Sequence, residues 1–168
     1  RAIKDTKYDM VGKKILILGA GGVVSSIIFS LFKMKVSSVT LSNRTKKKAE
    51  DLKSRYNPLG EKKENLDNLT VVDWGQIPEF DMIINATSVG LNNHQKLDLD
   101  FSKIRKDKFF YDVIYNPEET SFLKTGKNLG NKIENGKKMF VYQAAEAFKI
   151  WHNIQPNINE EVIKLLDK

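Results

Sequence analysis

The apolar run Lys14-Ile15-Leu16-Ile17-Leu18 breaks into Gly19-Ala20-Gly21-Gly22, and a second apolar run begins at once with Val23-Val24. A run of this length that leads into glycines reads as a buried parallel strand followed by a tight turn. The second run, apolar at 23, 24, 27, 28, 31 and 32, has helical spacing over 22–34. Glycine allows the turn and lets a bulky anion approach the backbone. The free N–H groups and positive dipole end of the next helix favour that anion. Two readings fit: the turn takes the pyrophosphate of a dinucleotide, or it needs glycine only for its geometry, and context decides between them. Gly19 and Gly21 fit the pattern G-x-G-x-x-G/A, whereas Val24 stands where a small residue is expected.

The rest of the chain supplies the context. Strands are expected at 38–42, 69–72, 81–86, 109–115 and 132–134. Helices are expected at 46–56, 120–128, 139–151 and 158–166. The long helix carries apolar residues at 140, 141, 144, 145, 148 and 151. Thr45 is placed to cap the helix at 46, and Asn57-Pro58-Leu59-Gly60 to end it, with a charged loop over 61–68. Residues 74–80 read as a short link with one helical turn. Alternating strands and helices with short connections predict an α/β fold, a doubly wound parallel sheet of Rossmann type. The expectation is one domain with about six strands in the order 3-2-1-4-5-6. Residues 1–12 lack a period and read as a connection leading into a domain over 13–168.

The formal charge of +7 raises nucleic-acid binding as one function. Its lysines are scattered, however, and no aromatic-plus-basic pattern accompanies the densest cluster, Lys46-Lys47-Lys48. Most of the charge therefore reads as a solvated surface, part of it available to an anionic ligand. With no cysteine, disulfides, thiolate metal sites and cysteine nucleophiles are excluded. His94 and His152 match no ligand spacing. The longest apolar run is too short and too interrupted for a bilayer span, so neither a metal nor a membrane partner is expected, and the cytoplasm is the default compartment.

The end of the second strand selects among dinucleotides. A carboxylate there accepts from the ribose 2′-hydroxyl of NAD. This chain has Ser42, Asn43, Arg44 and Thr45 instead. Arg44 can stack on adenine and pair with a 2′-phosphate, and Lys48 lies one helical turn on. The constellation favours NADP.

Together with the glycine turn and Asn43-Arg44-Thr45, three further blocks resemble shikimate dehydrogenase. They are Asn85-Ala86-Thr87-Ser88-Val89-Gly90, Asp112-Val113-Ile114-Tyr115-Asn116-Pro117 with Thr120, and Met139-Phe140-Val141-Tyr142-Gln143-Ala144-Ala145. Glycine turns and Asn-Arg-Thr also occur in glutamyl-tRNA reductase-like domains, and the last two blocks separate the families. The resemblance covers nearly the whole chain.

The resemblance implies that Gly19, Ala20, Gly21, Gly22 and Val23 hold the pyrophosphate. It implies that Asn43, Arg44, Thr45 and Lys48, with Lys46 and Lys47 beside them, hold the 2′-phosphate end. Ala86, Thr87, Ser88 and Val89 would line the cleft, and Val113 and Gly136 would lie beside the nicotinamide. Tyr115 and Gln143 would face shikimate or 3-dehydroshikimate. No catalytic residue is expected in this chain. Asp112 reads as a structural hydrogen-bonding group, and Tyr115 and Gln143 also fit packing and surface roles. Val23, Val24 and Lys138 depart from the family's pattern, at the phosphate turn and near the nicotinamide. The family's N-terminal substrate domain, with its lysine–aspartate pair, is not found here. The chain is thus expected to be the cofactor portion of a longer NADP-dependent oxidoreductase. A stand-alone non-catalytic NADP-binding module and a quinate/shikimate dehydrogenase relative share the same motifs.

Overall fold

The computed structural model describes residues 1–56, 67–92 and 94–167. The expected helix stop at 57–60 and most of the charged loop at 61–68 lie outside them. The described elements are α1 (Ala2–Asp5), β1 (Lys14–Leu18), α2 (Val24–Lys33), β2 (Ser38–Ser42), α3 (Lys46–Arg55), β3 (Leu69–Val72), β4 (Met82–Asn85), β5 (Phe109–Asp112), α4 (Ser121–Asn128), β6 (Lys132–Glu134), α5 (Lys137–His152) and α6 (Glu160–Lys164), with a final 3₁₀ turn over Leu165–Asp167.

All strand pairs are parallel, and the sheet runs β3-β2-β1-β4-β5-β6. The expected Rossmann order is therefore the observed one. The apolar run of β1 is buried on both faces, as a central parallel strand requires. Ile15 and Ile17 join one core with Val24, Ile28 and Leu31 of α2 and Ala49 of α3. Leu16 and Leu18 join the opposite core with Phe110, Phe101 and, from α4, Phe122 and Leu123. The chain winds outward from β1 through β2 to β3, then returns to the other side of β1 as β4. The β1/β4 boundary is thus a topological switch, where a crevice opens beyond the strand carboxyl ends.

Four local differences have physical causes. Residues 1–12 are packed against the domain: Ala2 and Met10 are buried, and the Tyr8 ring lies 5.0 Å from Phe109. The Tyr8 hydroxyl donates to the Asp81 carbonyl. These few contacts are irregularly spaced and leave no period in the sequence.

β5 stops at Asp112 rather than 115, because the Asp112 carboxylate accepts from the Ile114 N–H at 3.0 Å. Residues 74–80 form no helix: Gln76 N–H donates to the Asp73 carbonyl, and Gly75 takes φ +97°. Finally, α5 buries Val141 and Ala145 but leaves Phe148 42% and Trp151 77% exposed. Its outer face meets the last turns across a groove of about 380 Å³ lined by Phe140, Ala144, Phe148, Ile158 and Leu165. The apolar face of the helix is therefore only partly covered.

Candidate functional site

Gly19 closes β1 at the switch point. Its φ is +110°, and a Cβ there would stand 2.7 Å from the Ala86 carbonyl oxygen. Its N–H donates to Ser42 O and the Ala86 N–H donates to Leu18 O, each at 2.8 Å. The first glycine therefore lets the ends of β2, β1 and β4 meet. Gly21 and Gly22 differ: a Cβ on either would meet nothing within 4 Å. Nothing in the packing demands glycine at these two positions, and the space in front of them is open. Such a cradle fits a pyrophosphate that a side chain would displace. Val24 does not intrude into it, because its side chain is fully buried among the α2 core residues. Val23 packs against the same core.

The contrast between these glycines gives a testable result. Gly21→Val is expected to leave the melting temperature within about 2 °C of wild type, since surface changes cost little, while dinucleotide binding is lost. Gly19→Ala is expected to lower the melting temperature itself. Thermal denaturation beside cofactor titration checks both, and equal melting losses for the two would remove the distinction.

The β2 end presents Asn43, Arg44, Thr45, Lys46, Lys47 and Lys48 at the start of α3. Arg44 and all three lysines are exposed. The Asn43 amide donates to the Thr45 carbonyl at 2.8 Å, shaping the turn. Thr45 has the extended backbone of a cap, but its side chain makes no cap bond. Lys46 pairs with Asp73 at 2.9 Å. Sequence reasoning missed Asp73. The signal was available in the strand order, because the β2/β3 register sets Ser42 opposite Val72. The residues that follow the two strands must then be neighbours.

Beyond β4 the polar groups form a buried network. Asn85 and Asp112 are fully buried and Thr120 nearly so. The Asn85 amide donates to both Asp112 oxygens at 3.1 Å and to the Val89 carbonyl. Thr120 Oγ1 donates to the second oxygen at 2.6 Å, while accepting from the Leu123 N–H as the cap of α4. Burial pushes the Asp112 carboxyl up from the ordinary aspartate range, and the bonds from Thr120, Ile114 and Asn85 oppose that rise. The Thr87 hydroxyl donates to Asn85 Oδ1 and accepts from Val89 N–H, which shapes the Ala86–Val89 turn, with Ser88 exposed.

Gly136 begins α5 against the end of β5. A Cβ on it would fall 2.0 Å from the Val113 carbonyl oxygen. Tyr115 stacks on Phe140 at 4.6 Å, and Gln143 is exposed one turn further along α5. Lys138 Nζ lies 3.8 Å from Glu134. The structure thus brings the glycine turn, the 86–89 turn and the Val113–Gly136 crossing into one row at the strand carboxyl ends, with the Arg44 cluster beside it. Tyr115 and Gln143 lie at the far end, on and beside α5. His152 packs on Phe148, and no group of three metal-ligating side chains occurs among the described residues. None of the described helices is long and apolar enough to cross a membrane.

Comparison with known proteins follows this geometry. The shikimate/quinate 5-dehydrogenase family profile matches residues 2–118, and the shikimate 5′-dehydrogenase C-terminal domain profile matches residues 138–163. A relative named shikimate dehydrogenase (NADP(+)) from Pelagibacter ubique is 49% identical over 99% of this chain and 59% of its own length. The crystal structure of shikimate dehydrogenase from Aquifex aeolicus superposes with a TM-score of 0.80 at 33% identity, covering 99% of this chain and 57% of that one. The Thermus thermophilus enzyme, solved with NADP(H) and shikimate, superposes with a TM-score of 0.77 at 26% identity, covering 98% of this chain and 57% of that one. The chain therefore spans somewhat under two thirds of the length of these relatives.

Proposed function

The chain belongs to the shikimate/quinate dehydrogenase family, and on that premise we propose that it is the NADP-binding portion of a shikimate dehydrogenase. The observation that carries this reading is the open cradle at Gly21 and Gly22 beside a β2 end that offers Arg44 and lysines and no carboxylate of its own. The residues fit the cofactor in charge and in shape.

In this reading the backbone N–H groups of Gly19 to Val23 meet the pyrophosphate at the start of α2. Arg44 stacks on the adenine and pairs with the 2′-phosphate, aided by Asn43, Thr45 and Lys48, with Lys46 and Lys47 adding positive charge. Ala86, Thr87, Ser88 and Val89 line the cleft. Val113 and Gly136 flank the nicotinamide, held by backbone packing rather than by side chains. NADPH held by these residues would supply a hydride to the carbonyl carbon of 3-dehydroshikimate, and a proton on the oxygen would complete the hydroxyl of shikimate. Tyr115 and Gln143 offer hydrogen bonds to the hydroxylated carboxylate substrate. Asp112 is spent on structural donors, so we assign it no proton transfer.

The proton path and most substrate contacts then belong to a companion substrate domain. The exposed Phe148, Ile150, Trp151 and Ile154 support such a partner, since they offer apolar surface that a neighbouring domain would cover. We place the protein in the cytoplasm, in keeping with a cysteine-free chain.

Arg44→Ala tests the cofactor reading. NADPH affinity should fall about ten- to a hundredfold, the worth of a charge-assisted pair, and NADH, which loses only the adenine stacking, should fall much less. Equal loss for both nucleotides in a fluorescence titration would contradict the 2′-phosphate role.

A further inference from the structure

We infer that Asp73 tunes the discrimination between phosphorylated and unphosphorylated dinucleotides, by holding Lys46 in an ion pair that a 2′-phosphate must compete against. The inference rests on the cofactor reading above and adds to it a residue that no motif contains.

The β2 end lacks a carboxylate in sequence, but the fold delivers one from the next strand. Ser42 lies opposite Val72 in the parallel register, so the turn after β3 stands beside the turn after β2. Asp73 is fixed there by its backbone. Its carbonyl accepts from Ser42 Oγ at 3.3 Å and from Gln76 N–H at 3.1 Å. Its own N–H donates to Gln76 Oε1 at 3.2 Å. The carboxylate thus reaches α3 from a closed turn tied to the sheet. It takes Lys46, the first residue of α3, at 2.9 Å.

One consequence follows for an anion beside Arg44. Lys46 is already neutralised as a partner by Asp73, which acts against the 2′-phosphate and leaves an unphosphorylated ribose untouched. The pair is well exposed, at 44% for the Lys46 side chain and 59% for Asp73, so it contributes little to folding. It is therefore open to exchange with a ligand. Arg44, Lys47 and Lys48 carry the binding, and Asp73 limits how far the nearby Lys46 adds to it.

The test uses the full chain with two probes, adenosine 2′,5′-bisphosphate and ADP, titrated calorimetrically at low ionic strength. Asp73→Asn should tighten the bisphosphate about fivefold, the size of one close unit-charge interaction in water, and leave ADP unchanged. Lys46→Ala should change bisphosphate binding less than about twofold in the wild-type background, because the lysine is engaged by Asp73. In the Asp73→Asn background the same change should remove the whole gain. Asp73→Ser repeats the measurement should the asparagine variant melt early.

An unchanged preference in both Asp73 variants overturns the inference. So does weaker ADP binding, which would make Asp73 an acceptor for the ribose hydroxyl. Arg44→Ala separates the two levels. If wild type prefers the bisphosphate and Arg44→Ala abolishes the preference, a silent Asp73 sinks this inference alone. If wild type shows no preference and Arg44→Ala changes nothing, the 2′-phosphate reading falls and takes this inference with it.

Discussion

Replacing Gly136 with alanine should cost the domain about 3 kcal/mol or more, at the upper end of what overpacking normally costs. The added methyl would sit 2.0 Å from the Val113 oxygen and 2.5 Å from its carbonyl carbon, both main-chain atoms of the residue that follows β5. No rotamer can relieve a contact of backbone with Cβ. Relief requires α5 to move off β5, and that movement breaks the 3.0 Å bond from Gly136 N–H to the Ile114 carbonyl. A domain of this size has only about 5–15 kcal/mol in total, so the loss is a large share. Urea denaturation should show a lower midpoint with an unchanged slope. An alanine variant within about 1 kcal/mol of wild type would mean that the crossing is looser than described.

Asp112→Ala should be similarly severe, by a different route. The Asn85 amide, the Ile114 N–H and the Thr120 hydroxyl all donate to this carboxylate, in a place closed to solvent. Removing the acceptor strands three donors, and breaking such buried networks costs about 3–5 kcal/mol. Asp112→Asn keeps the shape but turns an N–H₂ group toward one of the donors, so it should recover only part of the loss. The damage should also spread. Thr120 caps α4, and Asn85 holds the Val89 carbonyl, so amide exchange should rise in both the α4 start and the 86–89 turn. Hydrogen exchange confined to β5 would contradict a shared hub.

The sheet was legible in the sequence where a strand is an apolar or alternating run closed by a turn residue, as β1 is by Gly19, β2 by Asn43 and β6 by Asn135. Lys14–Leu18, Ser38–Ser42, Leu69–Val72 and Lys132–Glu134 carry the same bounds in expectation and in structure. The glycine turn after β1 was legible because Gly19, Gly21 and Gly22 fall within four residues of sequence. What could not be read were pairings made across the sheet. Gly136 looks like an ordinary turn glycine until Val113 is seen against it. Asp73 looks like a strand-end residue until the β2/β3 register sets it by Lys46. The period of α5 reported its apolar residues correctly. A period does not say how much of a helix the chain itself covers, and the second half of α5 stays largely exposed.

The meeting of Gly19 with Ala86 also sets an order of events. β1 gains β2 as a neighbour after one short crossover, but it gains β4 only when residues 82–85 have been made. Until then Leu16 and Leu18 lack much of their core, since Ile83, Phe101, Phe110 and Phe122 come later. The glycine turn after β1, drawn from the first quarter of the chain, is therefore completed late. Non-local parallel pairing of this kind is slow. A ribosome releasing this chain at a steady pace exposes a half-built sheet with an open flank for the time it takes to deliver β4 and β5. Nucleotide should therefore act on the folding chain only at the last step, as a clasp on a finished sheet.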